Sequence, residues 1–224
     1  MELEVRLRRR AASGEDVREI NSLLVGCLSK ISNFWAEGRL PEDVYFNAGT
    51  GESAAADLSP CLCSGIRGAV SYASRVPAAV VDKAHSDDVL TLHVDIDRVD
   101  FLWLSRSVFP ELVNCFGSYR GGIVTDIDLD LDDFEEACEV AQATGRDIDG
   151  RDTVFRIYPV NFFDNEMCRR AFGISAADVA SRLRGSLEKV EERNGGVFIY
   201  TGAEPPGRDD IITLDNWVKQ RLAT

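Results

Sequence analysis

The most constraining feature of this 224-residue chain is the way its apolar residues change period along the sequence. Segments such as ELEVRLR, DVLTLHVDID and GGIVTDIDLDL alternate apolar and polar residues, which is typical of strands with one buried face. Other segments, such as the one at 13–35, repeat their apolar residues at helical spacing. Because strands buried on both faces would be apolar throughout, the pattern predicts an α+β fold. We expect two layers: a mixed or mainly antiparallel sheet with helices packed on one face.

The chain length and composition predict a single globular domain over residues 1–224. Apolar residues make up 45% of the sequence, which is enough to form a buried core. Gly, Pro, Ser and Ala interrupt residues 38–88 repeatedly, so this part is expected to be irregular and rich in loops. Predicted strands at 153–160 and 195–202 and predicted helices at 107–117, 132–145, 174–185 and 209–222 follow. Ser13 is the expected cap of the first helix, and Ser175 with Asp178 is expected to form a capping box. The core is expected to include Phe162, Phe163 and Trp217.

The net charge of −13 restricts the partners of the chain. Nucleic acids and anionic membrane surfaces attract clustered Lys and Arg, so neither is an expected partner. An acidic protein instead attracts basic proteins, especially where its charge is clustered. The start of the sequence has no apolar signal segment and no stretch is long enough to span a bilayer, so we expect a cytoplasmic protein. We expect no cofactor, and the sequence leaves the oligomeric state open.

The six cysteines lie mostly in apolar segments, where a reduced thiol behaves as a small hydrophobic group. We therefore expect no disulfide. Cys61 and Cys63 form the alternative of a zinc site, but a second ligand pair is missing and the chain has only two histidines. His93 shares a predicted strand face with Asp95 and Asp97, which leaves open a metal or acid–base role beside an ordinary surface position. The sequence offers no catalytic constellation.

The segment 125–140, TDIDLDLDDFEEACEV, holds eight acidic residues in sixteen positions. Its alternation predicts a strand that presents Asp126, Asp128 and Asp130 together to solvent, followed by a helix capped by Asp132. Such a face would speed the encounter with a basic partner and orient it. The alternative is a solvated strand with no partner, in which the helix dipole favours the later acids. The predicted partner-binding residues are Asp126, Asp128, Asp130, Asp132, Asp133, Glu135 and Glu136.

The same segment has two metal-binding alternatives. An EF-hand calcium loop requires glycine at its sixth position, and neither frame that begins at Asp126 or Asp128 provides one. The stretch FGSYRGGIVTDIDLDL resembles nucleotidyltransferases, which implies a metal-dependent enzyme. On this resemblance Gly117 and Ser118 contact a triphosphate, and Asp126 and Asp128 bind magnesium. The spacing between Ser118 and Asp126 departs from that family. The resemblance also implies a third carboxylate on a neighbouring strand, for which Asp152 is the candidate.

Three stretches of the C-terminal half give the sequence a second resemblance: GGIVTDIDLDLDDFEEA, GRDTVFRIYPVNFFDNEMCRRAFG and GGVFIYTGAEPP with the helix after it. In this general character the chain is similar to bacterial immunity proteins of polymorphic or type VI secretion toxin systems. The resemblance implies tight binding to a cognate toxin, such as a basic nuclease, whose active cleft the acidic surface occludes. It implies no catalytic residue, and no individual residue role is transferred from it.

Overall fold

The computed structural model describes residues 1–39, 44–48, 53–145 and 147–223, except for the side chains of Ala48, Glu136, Val140 and Thr144. The chain forms two compact units, Met1–Ser118 and Tyr119–Thr224. Whether they fold as the single domain expected from the sequence stays a prediction. Each unit combines an antiparallel sheet with helices, so the predicted α+β class is confirmed.

The first unit contains a five-stranded antiparallel sheet in the order β2-β3-β4-β5-β1. Its strands have one buried face, as the alternation predicts: Leu3, Val5 and Leu7 of β1 are completely buried. The strands are β1 (Glu2–Arg10), β2 (Tyr45–Ala48), β3 (Ala54–Asp57), β4 (Ile66–Tyr72) and β5 (Asp87–Asp95). Three of them fall within residues 38–88, a part that the sequence predicted to be irregular, and residues 40–43 and 49–52 of that part lie outside the described residues.

Helices of the first unit are α1 (Val17–Leu28), α2 (Phe101–Trp103) and α3 (Phe109–Phe116). A π-helical turn at Leu104–Val108 joins α2 to α3. The predicted cap of α1 at Ser13 is wrong, because the Asp16 side chain accepts the N–H groups of the first turn. The prediction that no disulfide forms is also wrong, since Cys27 of α1 is bonded to Cys115 of α3. The Cα atoms of Cys27 and Cys115 lie 5.5 Å apart, a distance within the range of protein disulfides.

A buried ion-pair network in the first unit explains several charged residues of β1 and its surroundings. The Asp88 carboxylate is fully buried and accepts hydrogen bonds from Arg75 and Arg9, at 2.6 and 2.7 Å for the shortest contacts. The backbone N–H of Ala73 donates to the same group at 3.0 Å. A buried carboxylate with this set of donors is satisfied within the fold, so these charges are structural.

The second unit contains four antiparallel strands in the order β6-β7-β9-β8. They are β6 (Arg120–Val124), β7 (Val160–Asp164), β8 (Lys189–Arg193) and β9 (Gly196–Tyr200), and the helices are α4 (Ile127–Thr144), α5 (Asn165–Phe172), α6 (Ala176–Leu183) and α7 (Arg208–Ala223). Residues of α5, α6 and α7 form one apolar core with strands β7 and β9. The predicted capping box at Ser175 and Asp178 is confirmed.

Two predicted strands of the second unit are wrong in position. The strand expected at 153–160 begins only at Val160, and the preceding residues lie between α4 and α7 without regular structure. Here the Ile157 N–H donates to Asp215 of α7 at 2.7 Å, in place of a strand neighbour. The strand expected to reach Leu131 ends at Val124. Among the described residues no helix is both long and apolar enough to cross a bilayer.

Candidate functional site

The acidic segment is a helix and not the predicted strand. Asp126 is the N-cap of α4, and its carboxylate accepts the Leu129 N–H at 2.8 Å. Asp is a poor strand former but a favoured cap, and Asp128 and Asp130 in the first turn are stabilised by the helix dipole. The helix therefore satisfies this sequence better than an extended chain. The N-cap of the helix is therefore Asp126 and not Asp132, the residue that the sequence predicted.

Helical geometry separates the predicted acidic face into two sets. Asp126, Asp130 and Asp133 repeat at intervals of four and three residues and so lie on one side of α4, which we call the inner set. Asp128, Asp132, Glu135 and Glu139 repeat in the same way on the other side, and we call them the outer face. Residues two apart on a strand share a face, whereas residues two apart on a helix do not.

The inner set is occupied by contacts within the second unit. Asp126 accepts two hydrogen bonds from Arg208 of α7, at 2.9 and 3.0 Å. Asp130 is only 2% exposed and accepts the Tyr158 hydroxyl at 2.9 Å. Asp133 is paired with Arg156. The prediction that Asp126, Asp128 and Asp130 point together into solvent is therefore wrong.

The Arg208 contact also changes the acidity of the cap. Hydrogen bonds from the Arg208 side chain hold the pKa of Asp126 below its usual value, and the Leu129 N–H acts in the same direction. The carboxylate is thus ionised and fixed between two helix termini, which makes it a structural group that joins α4 to α7.

The outer face is different, because all four of its side chains are exposed. No hydrogen bond or ion pair holds these carboxylates to another described residue. Leu131, which lies beside them on the helix, is 52% exposed. Of the predicted partner-binding residues, Asp128, Asp132 and Glu135 belong to this face, while the side chain of Glu136 lies outside the described residues. Sequence reasoning missed Glu139, which a helical period applied to residues 128–139 would have included.

The arrangement implied by the nucleotidyltransferase resemblance is not found in the local structure. Asp126 and Asp128 do not project from one strand, and Arg208 already occupies the carboxylate of Asp126. Gly117 ends α3 in the left-handed conformation at φ 64°, and only Tyr119 separates Ser118 from β6, so no helix follows Ser118. Within the described part of the chain, no group of three His, Cys, Asp or Glu side chains is placed to hold a metal ion.

The remaining candidates from the sequence are His93 and several aromatic residues, and His93 has contacts within the fold. His93 lies on β5, and its Nδ1 is 2.9 Å from the Glu2 carboxylate, which also accepts a hydrogen bond from Arg67. Phe162 and Phe163 are each 1% exposed and belong to the core, as expected. Trp217 was expected in the core but is 36% exposed on α7.

The comparisons with known proteins give one structural likeness. No protein-family model matches the chain, and no curated protein matches it. Among solved structures, the chain is similar to the Pseudomonas aeruginosa T6SS protein PA0821, with a TM-score of 0.52 and 15% sequence identity. The match covers 98% of this chain and 72% of that chain. At this identity the likeness shows a related fold and nothing further.

Proposed function

We propose that this chain is an immunity-type protein of a type VI secretion system, which binds a cognate toxin and blocks its active cleft. The outer face of α4, formed by Asp128, Asp132, Glu135 and Glu139, is the proposed contact surface. Two findings support the proposal: the fold is similar to that of a T6SS protein, and the acidic segment presents a row of exposed carboxylates that no hydrogen bond or ion pair holds to another described residue.

The observation that carries the proposal is the division of the acids between the two sides of α4. The inner set has partners in Arg208, Tyr158 and Arg156. The outer face has like charges at intervals of three and four residues, an arrangement that costs an isolated helix about 0.2–0.5 kcal/mol per pair. A basic partner would remove this repulsion on binding. The Arg208 guanidinium offsets part of the repulsion at Asp128 and Asp132, so the relief on binding is expected mainly at Glu135 and Glu139.

The chemistry of the outer face favours a toxin with a basic cleft, such as a nuclease. A nuclease cleft binds a row of negatively charged phosphates with Lys and Arg. The outer face presents a row of negative charges on a rigid helix, so the two surfaces are complementary in sign. The net charge of −13 adds a long-range field that accelerates the encounter. The same negative field repels the anionic surfaces of nucleic acids and membranes, so neither is a proposed partner.

The test begins with the product of the gene that adjoins the gene for this chain. Its affinity and association rate are measured for the wild type and for a triple variant, Asp128→Asn, Asp132→Asn and Glu135→Gln. We expect the variant to weaken binding at least about tenfold, mainly through a slower association that is less sensitive to salt. Toxin activity should recover in parallel when the variant replaces the wild type in an inhibition assay.

A matched control separates the outer face from overall charge. The variant Glu188→Gln, Glu192→Gln and Glu204→Gln also removes three negative charges. These residues are at exposed positions of the second unit outside α4. We expect its binding to change by less than about threefold, because only the long-range field is altered. Equal losses in the two triple variants, or no complex with the neighbouring protein, would contradict the proposal.

A further inference from the structure

A pocket of about 220 Å³ lies in the first unit, where the turn at 63–65 meets residues 98–103. The outer face of α4 belongs to the other unit, and of the residues singled out in the sequence only Cys63 lines this pocket. The lining residues are Asn33, Cys63, Ser64, Arg98, Val99, Asp100 and Trp103. Leu102, beside the pocket on α2, is 44% exposed.

The inner wall of the pocket is apolar. Val99 is 6% exposed, and Trp103 is half-buried. Burial raises the pKa of the Cys63 thiol, which therefore stays protonated and acts as an apolar group. An apolar cavity of about 150 Å³ is large enough for a benzene ring, whereas pockets for whole small molecules measure about 300–1,000 Å³. The volume thus suits one aromatic ring carried by a larger molecule.

The rim carries two charged groups of opposite sign with unused hydrogen-bonding atoms. Arg98 donates from Nη1 to the Ser64 hydroxyl at 3.2 Å, and its Nε is 3.6 Å from Asp95. Asp100 accepts the Trp103 N–H through Oδ1 at 2.6 Å. Among the described residues, no hydrogen bond involves the Nη2 atom of Arg98 or the Oδ2 atom of Asp100. The rim therefore offers one donor and one acceptor to a ligand.

The backbone around the pocket brings the turn at 63–65 close to Arg98 and Val99. Gly65 has a φ of 93°, and a Cβ atom at this position would come within 2.9 Å of Arg98 Cβ and 3.1 Å of Val99 Cγ2. The turn can therefore approach the segment of Arg98 and Val99 only because residue 65 is glycine. The π-helical turn at Leu104–Val108 follows Trp103 directly, and such turns occur frequently at functional sites.

We propose that this pocket binds an aromatic side chain on an exposed segment of a protein partner. The ring contacts Val99 and Trp103, Arg98 donates to a backbone carbonyl of the segment, and Asp100 accepts a backbone N–H. A peptide carries this combination of donor and acceptor beside every side chain, so it complements a rim with one group of each kind. Trp and Arg are also the residue types that contribute most at protein interfaces. This inference does not depend on the proposed binding to a toxin.

The first test uses N-acetyl-phenylalaninamide as a probe of the full-length chain. Its size predicts a dissociation constant in the millimolar range, on the order of 1 mM. We expect the NMR signals of the Trp103 indole and of the Arg98 and Asp100 backbones to shift on titration, while the Trp217 indole does not. N-acetyl-alaninamide, which lacks the ring, should produce no saturable shift. Toluene, which lacks the amides, should bind at least about threefold more weakly.

Variants at the rim and the mouth complete the test. Arg98→Ala and Asp100→Asn should each weaken probe binding about threefold or more. Ser64→Phe should fill the mouth of the exposed pocket and abolish binding, while Ser22→Phe, at an exposed position of α1, should leave it unchanged. Circular dichroism verifies that each variant is folded. Binding of toluene as tight as that of the peptide amide, or equal binding by wild type and Ser64→Phe, would overturn the proposal.

Discussion

The carboxylate of Asp126 connects two helices through a few hydrogen bonds. It caps α4 through the Leu129 N–H and receives both hydrogen bonds of the Arg208 guanidinium at the start of α7. Both contacts favour the ionised form, so the pKa of Asp126 is lowered. The sequence singled out this residue for a partner or a metal, and the fold uses it internally.

The pH dependence of the Asp126 contacts follows from the direction of that shift. Because the folded pKa lies below the unfolded value, the carboxylate stabilises the fold above the unfolded pKa. This contribution is lost as the pH falls through the folded pKa. We expect the Arg208→Ala variant to raise the pKa of Asp126 towards its usual value, as measured by NMR titration of the side-chain carboxyl carbon. An unchanged titration in that variant would show that Arg208 does not control this group.

Asp126→Asn and Asp126→Ala separate the two roles of the residue. Asn retains the cap but loses the charge, and Ala loses both. Loss of an N-cap costs about 1 kcal/mol, whereas an ion pair with an exposed arginine is screened by water and contributes less. We therefore expect Asp126→Ala to lower the free energy of unfolding more than Asp126→Asn does. Chemical denaturation of the two variants measures the difference.

Helix α4 shows at the scale of one element how a short pattern can be misread. Alternation of Asp with Ile or Leu over residues 126–131 fits a strand, but Leu131 is exposed and Leu129 is buried. The pattern of burial follows helical spacing, because the inner set and Leu129 face the rest of the unit. A six-residue alternation is too short to distinguish a strand from the first turns of an acidic helix. The capping ability of Asp126 was the available signal for the helix.

On the outer face of α4, we expect that neutralising acids stabilises the chain and weakens the proposed complex. Neutralising Glu135 and Glu139, which are four residues apart, removes a like-charge pair without changing the length of either side chain. We expect Glu135→Gln with Glu139→Gln to stabilise the chain by about 0.2–0.5 kcal/mol, measured by urea denaturation at low salt. The same change should weaken the proposed complex. A loss of stability in this variant would mean that these carboxylates have stabilising partners in the fold.

At the scale of the whole molecule, one covalent bond constrains the first unit. The Cys27–Cys115 disulfide closes a separation of 88 residues. In the chain-entropy model a loop of this length contributes about 4–5 kcal/mol by restricting the unfolded state. The reduced and oxidised forms of the chain should therefore differ strongly in stability. A reducing cytoplasm keeps most thiols free, so a structural disulfide is unusual there. The expected cytoplasmic location stays a prediction.

Thiol counting tests the disulfide directly. After denaturation without reductant, we expect alkylation of four cysteines, Cys61, Cys63, Cys138 and Cys168, and of all six after reduction. Cys27→Ser with Cys115→Ser should lower the free energy of unfolding by about 2–5 kcal/mol. Cys63→Ser with Cys138→Ser removes two free thiols as the control and should have a much smaller effect. Six reactive thiols in protein purified without reductant would contradict the bond.

The sequence by itself determined the fold class, strands β1, β5 and β9, and the approximate positions of helices α3, α6 and α7. These follow from local physics: alternation over β1 and β5, the capping box at Ser175, and the helical spacing of Ile211, Val218 and Leu222. Only the tertiary structure decided which acids are available to a partner. Arg208, Tyr158 and Arg156 are distant from α4 in sequence, and their contacts with the inner set depend on how the elements of the second unit pack. The pocket beside Trp103 and the Cys27–Cys115 bond likewise join segments that no local pattern relates.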